Sequence, residues 1–365
     1  MSRLEKLQDT MTKSKVDLVA VGPGAHMQYL LGFSPHADER PCMLFVSPNG
    51  SNLLMPALNA EGSRQGTDQK FHTWSDDEGP ENALKNAMAE IGVENAKSVS
   101  LDETMRADFA LLVLDSLPSA KHCFTNNTVG ALRLRKDKDE YRRLKENALI
   151  NDRAFLAGVA AMKPGMSELE IGSIIREHHS SEGARTEFCI VGLGENGAFP
   201  HHATGDRKLQ YGDAIVVDIG GRRKGFPSDM TRMAVIGSAP EGYNKVHNIV
   251  EEAVQAAMTT AKPGVQAKEV DKAARDVITK AGYGDYFVHR TGHGLGIETH
   301  EAPYITSTSK TVLEEGFVFS IEPGIYLPGR FGVRLEDIVI LREDGPEILS
   351  ELPRDCFVVE GWSNG

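Results

Sequence analysis

The sequence has few cysteines and no long apolar run. Its 365 residues include four cysteines, which lie far apart and form no CxxC pair: Cys42, Cys123, Cys189 and Cys356. This usage is typical of a reducing compartment and excludes a disulfide-rich scaffold. No apolar run of about 18 residues occurs, and residues 1–15 lack the apolar core of a signal peptide. We therefore expect a cytoplasmic protein with no membrane partner.

Basic residues are also too few for one class of partner. The chain has 40 lysine and arginine residues against 52 aspartate and glutamate residues, so its net charge is −12. A nucleic-acid partner would require a basic face, and this composition argues against one. An acidic chain can instead hold clusters of carboxylates that need cations nearby.

The length predicts two domains. Residues 1–130 alternate apolar stretches typical of strands, such as VDLVAVGP and CMLFVSP, with amphipathic stretches typical of helices, such as ENALKNAMAEIGV. They indicate an α/β domain without a chemical motif. A charged stretch then runs into a long amphipathic helix, so we place the boundary near residue 131 and predict domains 1–130 and 131–365.

The second domain repeats itself weakly. Lys163-Pro164-Gly165 ends one helical stretch, and Lys262-Pro263-Gly264 ends a similar one 99 residues later. The strand GDAIVVDIG, at 212–220, is likewise matched by EGFVFSIEPG, at 315–324. Two amphipathic helices with similar breaks can also match by chance. The repeated order of helix, break, helix and strand favours two related halves.

Each of these halves has an acid at the end of an apolar strand and a second acid after a loop. Asp218 is followed by Asp229, and Glu322 is followed by Glu336. Two halves facing each other would bring four carboxylates together, and such a cluster needs cations because like charges raise one another's pKa. A lone aspartate at a strand end is usually a turn former, and a lone glutamate is usually a surface ion-pair partner. The paired arrangement favours a site for two divalent metals.

A histidine-rich and glycine-rich segment lies between the two acid pairs. HRTGHGLGIETHEAP, at 289–303, contains His289, His293 and His300. A single histidine in a glycine-rich loop is more often structural. An imidazole among carboxylates favours manganese, cobalt, iron or zinc over magnesium or calcium.

Taken together, VVDIGGRRKGFPSDMTR, GHGLGIETHEAP, SIEPGIY and GVRLED resemble the metallopeptidases of the pita-bread fold. That family includes Xaa-Pro dipeptidases (prolidases), aminopeptidase P and methionine aminopeptidase. MQYLLGF resembles the creatinase/prolidase N-terminal domain. The resemblance implies an α+β protein in which a pita-bread domain with pseudo-two-fold halves follows a smaller α/β domain. It also implies a homodimer.

The resemblance implies two divalent ions, with manganese expected and cobalt, zinc or iron as alternatives. The family's five metal ligands fall on Asp218, Asp229, His293, Glu322 and Glu336. Of these, Asp229 and Glu336 would bridge the ions. Arg334 matches an arginine that orients a ligand carboxylate.

The implied reaction is hydrolysis of the bond between an N-terminal residue and a following proline. A hydroxide bridging the two metals would attack the carbonyl, and Glu322 would carry the proton. His201 and His300 match histidines that hydrogen-bond the substrate. We prefer His201 over its neighbour His202 because His201 directly follows Pro200.

The substrate's length is less clearly indicated. Many prolidase-like members have an arginine after the HExP motif that holds a dipeptide's carboxylate, but this chain has Tyr304 there. A phenol cannot pair with a carboxylate through two hydrogen bonds. This departure favours longer peptides, as for aminopeptidase P, unless Arg330 or Arg40 replaces the missing arginine.

Several other functions are compatible with parts of this pattern. Methionine aminopeptidases usually lack an N-terminal domain of this size, and creatinases cleave C–N bonds without metal. Some pita-bread relatives are non-catalytic binding modules, but those lose the ligands that this chain keeps. A hydrolase or lyase acting on a non-proline substrate also stays open.

Overall fold

The computed structural model describes residues 1–163 and 165–360. Pro164 and residues 361–365 lie outside the described residues, so Pro164 of the predicted Lys163-Pro164-Gly165 helix end does too. The chain divides into two compact units, Met1–Arg133 and Leu134–Gly365. The boundary that the sequence predicts near residue 131 lies within the helix Val129–Leu134.

The first unit is built on one six-stranded sheet. Its strands are β1 (Leu18–Val21), β2 (Met43–Ser47), β3 (Gly50–Pro56), β4 (Lys70–Trp74), β5 (Ser98–Leu101) and β6 (Lys121–Phe124). They lie in the order β4-β3-β2-β1-β5-β6. The β1–β2 and β2–β3 pairs are antiparallel, whereas β3–β4, β1–β5 and β5–β6 are parallel.

The helices of this unit are α1 (Arg3–Ser14), α2 (Ala25–Leu31), α3 (Ala57–Ser63), α4 (Glu81–Glu90), α5 (Ala107–Ser116) and α6 (Val129–Leu134). Apolar residues of α4 and α5 pack with β1, β2 and β5 in one core that includes Phe45, Leu84 and Phe109. The sheet and its helices confirm the predicted α/β character of the N-terminal part.

The second unit begins with a helix pair, α7 (Lys138–Ala161) and α8 (Glu168–Ser181), and contains a second pair, α9 (Tyr243–Thr260) and α10 (Ala267–Lys280). Asp137 and Ser167 begin α7 and α8 with capping boxes. Each of these side chains accepts a hydrogen bond from a backbone N–H of the first helical turn, and the glutamate three residues later accepts one from the backbone N–H of Asp137 or Ser167. The 99-residue repeat of the sequence coincides with these two helix pairs.

Each helix pair is followed by an antiparallel sheet. The first contains β7 (Arg185–Leu193), β8 (Ala214–Arg223), β9 (Phe226–Pro227), β10 (Met230–Ile236) and β18 (Phe357–Val359), in the order β18-β10-β8-β7 with β9 paired to β8. The β10–β18 pair is the parallel exception. The second contains β11 (Gly292–Gly294), β12 (Glu301–Ile305), β13 (Val318–Ile321), β16 (Asp337–Arg342) and β17 (Gly345–Ile348), in the order β12-β11-β13-β16-β17.

A small ribbon of β14 (Gly324–Leu327) and β15 (Phe331–Arg334) completes the sheets, and short 3₁₀ turns span Arg64–Gly66, Thr125–Asn127, Gly194–Ala198 and Gly284–Tyr286. Every residue of β10, β13, β14 and β15 is buried. The largest core cluster joins α9 and α10 to strands of both sheets. Among the described residues, no helix is long and apolar enough to span a membrane.

Candidate metal centre and active site

Two strand pairs place the four acids at equivalent points of the two halves. Asp218 lies in β8, and Asp229 immediately precedes β10, the antiparallel neighbour of β8. In the second half, Glu322 directly follows β13, and Glu336 directly precedes β16, the antiparallel neighbour of β13. Each half therefore supplies two carboxylates from adjacent strands.

The four acids and His293 line one cavity of about 730 Å³. Oxygen atoms of Asp218, Asp229 and Glu336 lie within 4.8 Å of one another, and so do ligand atoms of His293, Glu322 and Glu336. The Nε2 atom of His293 is 3.2 Å from Glu322 Oε1 and 3.6 Å from Asp229 Oδ2. The structure thus brings all five predicted ligands together, and Glu336 belongs to both groups.

Burial and mutual repulsion make this cluster costly without cations. Burial, followed by the charges of Glu336, Asp218 and Glu322, raises the pKa of Asp229 well above its ordinary value. Burial and the neighbouring acids likewise raise the pKa of Glu336. Burial raises the pKa of Glu322 to about 7. Divalent cations would reverse these shifts by favouring the charged carboxylates.

Two further observations fit bound cations. The buried Oδ1 atom of Asp218 has no hydrogen-bond partner among the described residues, although buried polar atoms are nearly always satisfied. Burial lowers the pKa of His293 to about 3, which leaves a neutral imidazole able to act as a ligand. Carboxylates with one imidazole form a donor set suited to manganese, cobalt, iron or zinc.

Hydrogen bonds hold the acids in place. Arg334 donates to Asp218 Oδ2 through Nη2 and, at 2.9 Å, to Thr231 Oγ1 through Nε. Thr231 in turn donates to Glu336 Oε2 at 2.8 Å. A third bond, of 2.7 Å, runs from Arg334 Nη1 to the Tyr326 hydroxyl. Arg334 therefore connects carboxylates from both halves, directly for Asp218 and through Thr231 for Glu336.

The two neighbouring histidines occupy different places. His201 lines the cavity. The Nε2 atom of His202 lies 2.7 Å from Glu168 Oε2, and that carboxylate also accepts hydrogen bonds from the backbone N–H groups of Leu193 and Gly205. His202 is thus committed to a structural contact, whereas His201 faces the site. The bonds of Glu168 depend on chain segments distant in sequence, and no spacing signal reveals them.

His300 also lines the cavity, and its ring packs edge-on against His293 with centroids 4.1 Å apart. Tyr304 is not among the lining residues and is 42% exposed. Arg330 donates instead to the Glu241 carbonyl oxygen at 2.7 Å, and Arg40 pairs with Asp76 in the first unit. Neither arginine lines the cavity.

The sequence interpretation overlooked Arg290, which does line the cavity. This residue lies three positions before His293 in a segment without regular periodicity. Phe188 and Ile190 of β7 were also overlooked, and they add an apolar wall. Side chains of a strand alternate between its two faces, so Phe188 and Ile190 lie on one face of β7, and this alternation could have located them from the sequence.

Comparison with known proteins places this site in a family. The family model for "Metallopeptidase family M24" matches residues 142–343, and that for "Creatinase/Prolidase N-terminal domain" matches residues 3–134. The chain belongs to metallopeptidase family M24. The predicted fold, a pita-bread domain after a creatinase-like N-terminal domain, is confirmed. As a metallopeptidase of this family, the protein uses divalent metal ions.

Similar proteins match over nearly the whole chain. The probable dipeptidase PepE of Mycobacterium tuberculosis is 35% identical over 93% of this chain and 92% of its own length. The Xaa-Pro dipeptidase of Pyrococcus furiosus is 32% identical over 97% of this chain and 99% of its own. A crystal structure of recombinant prolidase from Thermococcus sibiricus superposes with a TM-score of 0.89, at 36% identity and 98% coverage of both chains.

Proposed function

We propose that this protein is an Xaa-Pro peptidase, which hydrolyses the bond between an N-terminal residue and a following proline. One observation carries the proposal: all five predicted ligands converge in a single cavity of a chain whose relatives include an Xaa-Pro dipeptidase. Phe188 and Ile190 give that cavity an apolar wall suited to a proline ring.

Two divalent ions, with manganese expected, would be held by Asp218, Asp229, His293, Glu322 and Glu336. Asp229 and Glu336 would be shared between the ions, since Glu336 belongs to both groups of ligand atoms and Asp229 lies near both Glu336 and His293. When bound, such ions polarise a carbonyl group and lower the pKa of a water molecule.

Glu322 is the residue that we expect to move the proton. Its side chain is 15% exposed, against 5% for Asp229 and 12% for Asp218, so it is the more accessible to a substrate. Ser320 donates to its Oε1 atom at 2.9 Å and fixes its direction. Glu322 would accept a proton from water and deliver it to the leaving nitrogen of proline.

His201 and His300 would bind the substrate by hydrogen bonds, because both line the cavity and neither makes, with any residue that the structure describes, a side-chain bond of the kind that His202 makes with Glu168. Burial lowers the pKa of His300, so its ring is neutral near pH 7 and offers one N–H donor. That donor would stabilise negative charge developing on the scissile carbonyl oxygen.

We further propose that the protein is cytoplasmic and forms a homodimer. The cytoplasmic proposal is supported by its cysteines: all four are free thiols in the structure, and Cys42 and Cys189 are buried. The dimer rests on the family resemblance alone.

Hydrolysis of Ala-Pro, Ala-Pro-Ala and the matched control Ala-Ala tests the proposed reaction. The protein would be stripped of metal with a chelator, reconstituted with manganese and analysed for bound metal. Cleavage of a proline substrate, with far slower cleavage of Ala-Ala, is the expected result. Two bound ions without cleavage of either proline peptide would refute the proline-peptidase function and leave the metal site intact.

A further inference from the structure

Arg290 is an arginine of the cavity wall whose side chain pairs with no carboxylate among the described residues. It lines the same cavity as the five predicted ligands. Within residues 1–163 and 165–360, its guanidinium makes no ion pair and no hydrogen bond, and it lies in cation–π contact with Tyr304. A guanidinium in that position offers several N–H donors to a molecule in the cavity.

The other cation in the cavity wall has no such freedom. Arg334 is 3% exposed, and its three nitrogen atoms bond to Asp218, Thr231, Tyr326 and the Pro200 carbonyl oxygen. It neutralises and orients part of the acid cluster. Among the arginines and lysines of the described cavity wall, Arg290 is therefore the one available to a ligand.

The ring of Tyr304 lies against this guanidinium. The Arg290 Cζ atom lies 4.8 Å from the centroid of the Tyr304 ring, which is within the range of a cation–π contact. A contact with an aromatic ring uses no hydrogen-bond acceptor, so N–H donors of the guanidinium stay available to a ligand. A planar group with free edge donors matches the geometry of a carboxylate, to which it can donate two parallel hydrogen bonds.

The charges of the cavity explain why a ligand carboxylate would need this residue. Asp218, Asp229, Glu322 and Glu336 all lie in the same wall. A dipeptide brings one further negative charge, on its C-terminal carboxylate, close to the bond that is cleaved. A tripeptide places that carboxylate about one residue, or about 3.5 Å, farther away.

We propose that Arg290 binds the C-terminal carboxylate of a dipeptide substrate, and that Tyr304 orients Arg290 for this contact. The enzyme would then prefer free dipeptides to longer peptides, contrary to the preference that Tyr304 alone suggested. This inference rests on the proposed Xaa-Pro activity. Arg290 and Tyr304 together replace the single arginine that many prolidase-like members have after the HExP motif.

The test compares Ala-Pro with Ala-Pro amide, which lacks only the negative carboxylate. Manganese-loaded wild-type enzyme should cleave Ala-Pro with a kcat/KM roughly 10- to 100-fold higher than that for the amide, as expected for a charged hydrogen-bonded pair. Arg290→Gln should reduce this ratio to near one, mainly by raising KM for Ala-Pro. Arg330→Gln, which changes an exposed arginine outside the cavity, should leave the ratio at the wild-type value.

The variants separate the possible failures. If Arg290→Gln lowers kcat/KM equally for both substrates, or leaves both unchanged, the carboxylate contact is wrong. If the wild-type enzyme cleaves neither substrate, the Xaa-Pro activity itself has failed. Tyr304→Leu should lower the ratio by a smaller factor while Tyr304→Phe retains it; an equal loss in both variants would contradict the stacking role.

Discussion

At the residue scale, the dominant feature is the electrostatic conflict among four buried acids. Asp218, Asp229 and Glu336 are buried, and Glu322 lies beside them. In the absence of cations, folding places Asp229, Glu322 and Glu336 where the charged form is disfavoured. The proposed metal ligands are therefore expected to reduce the stability of the metal-free protein.

Replacing Glu336 by glutamine tests this conflict. The folded protein holds the pKa of Glu336 well above its ordinary value, so the unfolded chain releases that proton at lower pH and stability falls as pH rises above about 4.5. Metal-stripped Glu336→Gln should therefore be more stable than wild type at pH 7.5, by at least about 1 kcal/mol. The gain should vanish near pH 4.5.

Urea unfolding of both metal-stripped proteins across this pH range provides the measurement. The same variant should lose manganese affinity and at least about 100-fold in activity, since a shared ligand is removed. A variant that is less stable than wild type at every pH would show that repulsion does not dominate at Glu336.

The histidine pair gives a second prediction at this scale. His201→Ala should lower kcat by about 10- to 100-fold while the melting temperature stays near that of wild type, because His201 is exposed at the cavity. His202→Ala should instead lower stability by about 1–3 kcal/mol, because the buried Glu168 carboxylate loses a partner. Kinetics and thermal melts of both variants distinguish the roles. Loss of stability in His201→Ala with loss of kcat in His202→Ala would instead assign the structural role to His201 and the substrate-binding role to His202.

At the scale of elements, a buried ion network joins strands from the two halves. Arg232 of β10 and Asp337 of β16 are both fully buried, with their nitrogen and oxygen 2.6 Å apart. Arg354 approaches the other oxygen of Asp337, also at 2.6 Å. Asp229 and Glu336 precede β10 and β16 directly, so this network fixes the strands on which both proposed bridging ligands depend.

Asp337→Asn should destabilise the protein by about 3–5 kcal/mol, because two arginines lose their buried counter-charge. Manganese affinity should also fall, since the strand bearing Glu336 is less firmly held. The matched control is Asp276→Asn, which breaks a pair with Lys272 that is over 60% exposed on both sides. The control should cost less than about 1 kcal/mol. Urea unfolding and metal titration provide the values, and equal losses in both variants would contradict the network's role.

The elements also show what the sequence can and cannot predict. The acids were identifiable because each lies beside an apolar strand, a pattern that is local in sequence. Arg290 was not identifiable, because its availability to a ligand depends on the absence of a carboxylate partner in the folded structure, which the sequence does not reveal. The contact between Tyr304 and Arg290 was also not identifiable, because it depends on Tyr304 taking an exposed position of β12, which alternates buried and exposed residues.

At the scale of the whole molecule, the chain is two compact units with separate cores, 1–133 and 134–365. All five predicted ligands lie in the second unit. The repeat detected in sequence predicted the symmetry of this unit, because equivalent helices and strands retain similar breaks and glycines. The first unit has no comparable repeat, so the order of the strands in its sheet could not be predicted from the sequence.

Calorimetry should therefore resolve two unfolding transitions in the metal-stripped protein. Adding manganese at 100 times its dissociation constant should stabilise the unit with residues 134–365 by about 2.7 kcal/mol for each bound ion and raise its transition temperature. The transition of residues 1–133 should not move. Magnesium at equal concentration serves as the control, because it fits a site with an imidazole less well. A single transition that moves as a whole would contradict independent unfolding.

The crowding of Asp218, Asp229, Glu322 and Glu336 has a consequence for the amount of protein in a cell. Because cations relieve the repulsion, the share of chains that are unfolded at any moment rises when metal is scarce. Unfolded chains are removed by proteases, and a change of 1–2 kcal/mol is enough to alter abundance several-fold. Metal starvation should thus reduce the number of enzyme molecules as well as the activity of each, and the supply of the divalent metal would set the lifetime of this protein.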